Sequence, residues 1–444
     1  MFFSLWKKSL IILIIFFTSA LSDFIVMNFD KIKDIFSEDD DEVSLNILKN
    51  NIYCNITVGN QIIPFYISFD KELTFIVDDN YTFSKYEPKK SSKFQKKSEK
   101  SNNYIFDNLQ IGFNASDTFS LKNEDNKKIN VEDMPFILGT YLDEKNNFQF
   151  PAQLGLKKKT YENPQIFNFI ENLKLKRIIN SQVFFFKFDE GWGGKLIIGS
   201  YPHEYDENYN ANDLIQSSSL EMGASNNWFL KINYLFIGEN KIDLSKQLVE
   251  LSPEYGMIIL NLQIEKIIYD SFFKQLIEEK KCVRIKVQYN YNYICLDDIN
   301  INNFKNITFR HIGMEYDFIF EPKDLFYHYY DRYFFLISFQ DTFYTYLGKP
   351  FFKKFTLIFN QDSKQVAIYS SYVQEENMTI INKLSVINPI ILIIIFSVLV
   401  CIFLYALHVY RLKKRRINEI IENYDYTPEK SQNKNKNTKL LEIN

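Results

Sequence analysis

Asp70 is the residue whose setting is most typical of a catalytic group. It follows an apolar stretch, residues 64–69, that predicts a strand. A carboxylate at a strand end is held by the strand and stays accessible for acid–base chemistry. The next two residues, Lys71 and Glu72, are charged, whereas a tight turn favours small residues there. Catalysis by Asp70 therefore depends on a partner elsewhere in the chain.

Other kinds of reactive site are not indicated by the sequence. The chain has four histidines, none in a paired spacing, so we predict no metal site and no cofactor. It has no glycine-rich phosphate loop and no evident serine or cysteine nucleophile. The net charge of -3 gives no overall field that would attract nucleic acid.

Alternating polar and apolar residues, rich in aromatic and β-branched types, dominate the middle of the chain. Runs typical of strands include residues 53–58, 183–188 and 229–237. Good helical patterns are few, at residues 164–173 and 262–279. The pattern predicts an all-β body with a few short helices, too long for one small barrel. We expect two lobes, residues 50–200 and 201–383, that part near residues 189–210.

The two ends of the chain predict a membrane-anchored secretory protein. Residues 1–22 have the basic, apolar and small-residue parts of a signal peptide. Residues 387–410 are apolar and long enough to cross a bilayer, and the basic run that follows predicts a cytosolic tail, residues 411–444. The expected topology is a single-pass type I protein of the cell surface or of an endolysosomal or vacuolar membrane. Residues 23–49 are acidic and form either a pro-segment or an exposed leader.

The cysteines and glycosylation sequons agree with a luminal location. Cys282 and Cys295 are close in sequence and can form a disulfide worth about 3 kcal/mol, whereas Cys54 is expected to be a buried thiol. Sequons, which are weak signals in an Asn-rich chain, begin at Asn55, Asn80, Asn114, Asn306 and Asn377.

Six segments in a consistent order resemble the pepsin-like aspartic proteases. They are residues 53–70, 85–94, 152–156, 184–199, 228–232 and 346–360. The resemblance covers roughly residues 50–372 and implies a bilobal acid-protease fold with a long cleft between the lobes. Cys282 and Cys295 fall where the family has its second-lobe disulfide.

The resemblance also implies a pair of aspartates, one from each lobe, that share a proton and activate a water. Asp70 matches the first aspartate. The family spacing places the second near Ser252, where no aspartate stands, and Glu250 and Glu254 are nearby substitutes out of register. Tyr104 is the nearest match to the tyrosine of the family's flap, a hairpin over the cleft, or is an ordinary strand aromatic.

Three functions remain open from the sequence. The first is a pseudo-protease whose cleft binds an extended peptide or protein without cleaving it. The second is a divergent aspartic endopeptidase that uses Asp70 with Glu254 or Glu250. The third is a structural or adhesion ectodomain with a closed cleft.

Overall fold

The computed structural model describes residues 24–29, 43–44, 47, 52–78, 86–98, 102–106, 109–123, 125–142, 151–157, 168–189, 192–206, 208–218, 220–222, 225–370 and 411–415. The chain divides into two compact units, Met1–Ser371 and Tyr372–Asn444. Of the second unit only residues 411–415 are described, and they are helical. No helix within the described residues is long and apolar enough to span a membrane, and the predicted span, residues 387–410, lies outside them.

The first unit is mainly β, as the sequence predicts. Its first eleven strands are β1 Ile25–Phe29, β2 Tyr53–Val58, β3 Gln61–Ser68, β4 Phe75–Val77, β5 Gln95–Lys96, β6 Asn102–Phe106, β7 Leu109–Lys122, β8 Lys128–Leu142, β9 Ala152–Gly155, β10 Val183–Phe188 and β11 Gly194–Ile198. The remaining strands are β12 Leu214–Ser218, β13 Leu220–Met222, β14 Ser225–Leu230, β15 Tyr234–Ile237, β16 Asn240–Asp243, β17 Leu248–Leu251, β18 Ile258–Asn261, β19 Cys282–Val287, β20 Asn290–Leu296, β21 Ile307–His311, β22 Tyr316–Phe320, β23 Phe326–Tyr329, β24 Arg332–Phe335, β25 Ile337–Gln340, β26 Tyr344–Leu347, β27 Ile358–Asn360 and β28 Gln365–Tyr369.

The helices are short and lie between strands. The α-helices are α1 Phe169–Leu175, α2 Leu262–Ile268, α3 Lys274–Glu278, α4 Pro322–Leu325 and α5 Lys349–Lys354, with a π-helical turn at Tyr269–Phe273 between α2 and α3. Single 3-10 turns span Pro88–Lys90, Pro202–Glu204, Ala211–Asp213, Ile301–Asn303 and Ile312–Met314. The side chain of Asn168 caps α1 and that of Asn261 caps α2, because each accepts a backbone N–H of the first turn.

Three sheets organise these strands. The 14-stranded sheet has the order β12-β28-β27-β10-β11-β1-β2-β3-β9-β4-β8-β7-β5, with β6 paired to β7. The 10-stranded sheet has the order β13-β14-β17-β26-β18-β25-β20-β24-β23, with β19 paired to β20, and the 4-stranded sheet has the order β16-β15-β21-β22. The closing strands β27 and β28 thus join the sheet of the N-terminal half, which ties the two halves together.

Part of the predicted leader is a strand of the large sheet. Strand β1 pairs antiparallel with β11 over its whole length and contacts β2 through Phe29. Ile25, Met27 and Phe29 are buried in the main hydrophobic core. Residues 24–29 are therefore built into the fold and are not an exposed leader.

One arrangement of strands occurs twice and positions the site. In the first half, β3 runs parallel to β9, and the loop after β3 leads into β4. In the second half, β17 runs parallel to β26, and the loop after β17 leads into β18. Each loop passes close to a glycine at the end of the parallel partner strand, Gly155 or Gly348.

Gly348→Ala is expected to destabilise the fold by about 3 kcal/mol, the upper range for overpacking. A Cβ at Gly348 would lie 2.1 Å from the Met257 carbonyl oxygen and 2.4 Å from that of Tyr255. Both are backbone atoms, so the loop itself has to move. Chemical unfolding measures the change, with Gly313→Ala as the control, because a Cβ there meets the His311 ring at 3.2 Å, a milder contact with a side chain rather than with backbone. Equal stability of the two variants would contradict this account of the loop.

Candidate functional site

The two crossing loops can be aligned through their strand registers. Ser68, at the end of β3, pairs with Gly155. In the second half, the residue before Ser252 pairs with Leu347, which places Ser252 opposite Gly348. Ser252 is therefore the counterpart of Ser68, two residues before the acid position.

This alignment makes Glu254 the counterpart of Asp70. Each lies two residues beyond the serine of its loop. The carbonyl groups of the residues that follow them, Lys71 and Tyr255, both accept an N–H from the segment after the corresponding glycine. The sequence predicted Ser252 at the second acid position and Glu254 out of register. The structure instead aligns Glu254 with Asp70. Ser252 is buried and its N–H donates to the carbonyl of Leu347 at 3.1 Å.

The carboxylate of Glu254 reaches across to the first loop. Its Oε1 accepts from Ser68 Oγ at 2.9 Å, from the N–H of Phe69, and at a long 3.5 Å from the N–H of Asp70. The Tyr66 hydroxyl also hydrogen-bonds to this carboxylate. Glu254 therefore joins the two loops through main-chain and side-chain donors of β3 and the turn after it.

Asp70 is also held on both sides. Its Oδ1 accepts from Ser68 Oγ at 2.7 Å, and its Oδ2 forms an ion pair with Lys71 Nζ at 2.8 Å. The side chain remains 34% exposed. Lys71, directly after the acid in sequence, thus offsets the charge of Asp70.

The shared serine limits the charge that Asp70 and Glu254 carry together. The Ser68 hydroxyl has one proton, so it donates to one carboxylate at a time. A hydrogen bond to the second requires that this second group carries a proton itself. Burial, followed by the negative charge of Asp70, raises the pKa of Glu254 to about 8. Glu254 is therefore the protonated member at neutral pH.

A third carboxyl group, that of Glu250, lies on strand β17 near Asp70. Its Oε1 accepts from Asn227 Nδ2 at 2.7 Å. Burial, with a smaller contribution from the charge of Asp70, raises the pKa of Glu250 to about 7, against the opposing effects of Asn227 and of the cations Lys157 and Lys71. Glu250 does not contact the Ser68 bridge in the described hydrogen bonds, so it is not the partner of Asp70.

Glu250 begins a row of side chains on one face of the 10-stranded sheet. It pairs with Tyr346 on β26, Tyr346 pairs with Ile259 on β18, and Ile259 pairs with Ser338 on β25. The register between β25 and β20, continued by one residue, places Asn292 next. Directly paired residues point to the same side of a sheet. We call these five residues the Glu250 row.

Residues of the predicted leader pack on this face. Val43 and Ile47 are buried in one hydrophobic cluster with Trp192 and with side chains of the second half of the chain, namely Met257, Ile259, Ile294, Phe334 and Leu336. The cluster contacts Tyr255 and Tyr346 at its edge. The leader therefore covers the Ile259 part of the face, next to the end that carries Glu250.

The other predicted site residues have mixed outcomes. The disulfide Cys282–Cys295 is confirmed and closes the β19–β20 hairpin, where the two cysteines pair directly. Cys54 is a buried thiol, as expected. Tyr104 lies in β6, a strand of the β6–β7 hairpin, and its side chain lies outside the described residues.

For the sequons, the structure shows only how exposed each asparagine is. Asn55 and Asn306 are exposed and Asn114 is half-buried, whereas Asn80 and Asn377 lie outside the described residues. Glycosylation itself stays a prediction. In the described part of the chain, no group of His, Cys, Asp and Glu side chains is arranged to hold a metal ion.

The chain is mainly β, and two equivalent loops each bring a carboxyl group to the Ser68 hydroxyl. These features are those of a divergent pepsin-like fold. Comparison with solved structures supports this conclusion. The chain is similar to conglutin gamma, a basic 7S globulin from lupine seeds, with a TM-score of 0.59 and 10% identity over 79% of this chain and 95% of that chain. It is similar to basic 7S globulin from soybean, with a TM-score of 0.59 and 11% identity over 80% and 97% of the two chains. No protein-family model and no curated protein sequence matches.

The sequence did not predict the bridge made by Ser68 or the ion pair between Lys71 and Asp70. The signal for the second position was Gly256, two residues after Glu254, where the family has the glycine of its turn. The bridge itself has no sequence signal, because it depends on how the two loops face each other.

Proposed function

We propose that this protein binds an extended peptide or protein segment in its cleft and does not cleave it. The observation that carries the proposal is the occupation of both acids by the protein itself. Asp70 is held by Lys71 and Ser68, and Glu254 by Ser68 and the main chain of the first loop.

Cleavage by a pair of carboxyl groups requires that they jointly bind a water and share one proton. The hydroxyl of Ser68 lies between Asp70 and Glu254, at the distances given above. The Lys71 ammonium occupies an oxygen of Asp70 that would otherwise accept the proton of a water. Because catalytic groups need placement within a fraction of an ångström, these contacts oppose hydrolysis.

Peptide binding does not require a catalytic pair of carboxyl groups. An extended peptide in a cleft between sheets hydrogen-bonds through its main chain, and pockets for its side chains give selectivity. Tyr346 of the Glu250 row, with the neighbouring rings of Tyr255 and Tyr344, offers such side-chain contacts. Because residues 1–22 resemble a signal peptide and residues 387–410 are long and apolar, we propose that the chain is membrane-anchored. Its cleft then faces the lumen or the cell exterior.

Affinity selection tests the binding function. The purified full-length protein is incubated with a random hexapeptide mixture, and retained peptides are analysed by mass spectrometry. We expect enrichment of a defined subset, recovered at full length. Retention no greater than on the heat-unfolded protein would contradict the proposal.

A divergent aspartic endopeptidase is the second candidate. It is favoured by the Ser68 bridge between two carboxyl groups and by the raised pKa of Glu254, since a shared proton is what such catalysis uses. A statine-type inhibitor distinguishes the two, because its hydroxyl replaces the water between the acids. Saturable binding that is lost in both Asp70→Asn and Glu254→Gln would favour the endopeptidase.

A further inference from the structure

Glu250 forms no ion pair in the described part of the chain, and only the more distant charges of Lys157 and Lys71 favour its ionisation. It is 7% exposed, and the contact to its Oε1 comes from the neutral amide of Asn227. The nearby Lys71 is paired with Asp70. Burying a carboxylate without an ion-pair partner is unfavourable, and a cation supplied by a ligand relieves that cost.

Aromatic rings form a wall beside Glu250. The rings of Tyr255 and Tyr346 lie 5.0 Å apart, and those of Tyr346 and Tyr344 lie 5.9 Å apart. Tyr344 is 37% exposed, and the other two are partly exposed, so the wall runs from the acid loop to the surface. Tyrosine faces attract Lys and Arg side chains, and more strongly where water is partly excluded.

A separate observation also points to a ligand on this face. Asn292, in the Glu250 row, is 1% exposed, and neither amide atom of its side chain has a hydrogen-bond partner in the described structure. The same holds for Oδ1 of Asn290, which is on the same face. The side chains of the leader residues Val43 and Ile47 are apolar and cannot hydrogen-bond to these amides. Buried amides without partners are rare, which favours a face that binds a polar chain.

We propose that the peptide bound in the cleft carries a basic residue, Lys or Arg, whose side chain lies between Glu250 and the tyrosine wall. This inference rests on the proposed peptide binding and specifies its ligand. The basic group forms an ion pair with Glu250 and stacks on Tyr346. The peptide then continues along the Glu250 row towards Asn292, where its own amides pair with the asparagine.

The charges that face Glu250 set a pH dependence. Asp70 opposes its ionisation, whereas Lys157 and Lys71 favour it. Tyr255 and Tyr346 are neutral at physiological pH, because burial raises the pKa of both phenols. A bound cation lowers the pKa of Glu250 from about 7, so binding near neutral pH releases a proton.

Calorimetry with two matched peptides tests the proposal. The probes are an alanine hexapeptide with one central arginine and the same peptide with citrulline, which has nearly the same shape and no charge. We expect the arginine peptide to bind about tenfold tighter, the effect of one partly buried cation contact. Its binding heat should depend on the buffer in the way that proton release requires.

Variants locate the effect. Glu250→Gln keeps the shape and the Asn227 contact and should bind both peptides equally, whereas the matched control Glu239→Gln, an exposed acid, should keep the preference. Tyr346→Leu should reduce the preference if it melts normally. Equal binding of both peptides by the unaltered protein, or an unchanged preference in Glu250→Gln, overturns this inference and leaves peptide binding standing. Binding of neither peptide by any variant overturns the proposed function itself.

Discussion

Glu254→Gln is expected to remove much of the pH dependence of stability between about pH 5 and pH 8. The folded-state pKa of Glu254 is raised to about 8 from its ordinary 4.5. Between these values the folded protein holds a proton that the unfolded chain has released. The contribution of Glu254 to stability is therefore largest at low pH and falls as pH rises towards 8.

The size of this effect follows from linkage. Each unit of raised pKa corresponds to about 1.4 kcal/mol of lost stability at high pH. For Glu254 the loss amounts to several kcal/mol, with a smaller loss from Glu250 through pH 7. Glutamine has no titratable proton to lose, keeps an oxygen that accepts from the N–H of Phe69, and has an amide N–H that can donate to Ser68 Oγ. Urea unfolding at a series of pH values measures the slope.

Asp70→Asn is the informative companion variant. It removes the negative charge that opposes ionisation of Glu254, so the fall in stability should shift to lower pH. Glu239→Gln, at an exposed position, should leave the curve unchanged. A curve for Glu254→Gln that parallels that of the unaltered protein would show that Glu254 is ionised in the folded state.

Charges placed in the leader are expected to increase peptide affinity by tenfold or more. Val43 and Ile47 are both almost fully buried in the cluster beside the Glu250 row. An aspartate at either position buries an unpaired charge, which costs several kcal/mol when the leader is docked. The leader then leaves the face, and peptide no longer competes with it.

The measurement is peptide affinity of Val43→Asp and Ile47→Asp, with melting curves to show that the lobes remain folded. Ile62→Asp is the control, because Ile62 is an apolar residue of β3 that is 65% exposed and lies outside this cluster. Unchanged affinity in both leader variants would mean that the ligand does not use the covered face.

Much of the fold was predictable because it follows from local patterns. The runs at residues 53–58 and 183–188 became β2 and β10 with the same bounds, and the predicted helix at residues 262–279 became α2, the π-turn and α3. The predicted strand at residues 229–237 is two strands, β14 and β15, which belong to different sheets. A change of sheet has no signature in a period-two pattern, since both halves keep their apolar alternation.

The site was predictable only in part. Asp70 was identified, because it ends a strong apolar strand. The second position was predicted near Ser252 from the family spacing, whereas the strand registers align Glu254 with Asp70, two residues later. The pairing of Asp70 with Lys71, and the bridge through Ser68, depend on side-chain geometry that a linear pattern does not contain.

Residues 43–47 are a second place where the local sequence pattern does not predict the structure. They belong to residues 23–49, whose acidic, partly amphipathic pattern fits a pro-segment or an exposed leader equally well. Val43 and Ile47 are buried in a cluster with Trp192 and with residues such as Ile259 and Phe334, which lie more than two hundred positions away. Such contacts are set by topology rather than by local propensity.

The central claim is that Asp70 and Glu254 hold the two loops together and do not hydrolyse peptides. The most direct test is mass spectrometry of a diverse peptide mixture incubated with the purified protein from about pH 3 to pH 7, in parallel with Asp70→Asn. The account predicts that both proteins return the same uncut peptides at every pH. Cleavage products that appear with the unaltered protein and disappear with Asp70→Asn would contradict it.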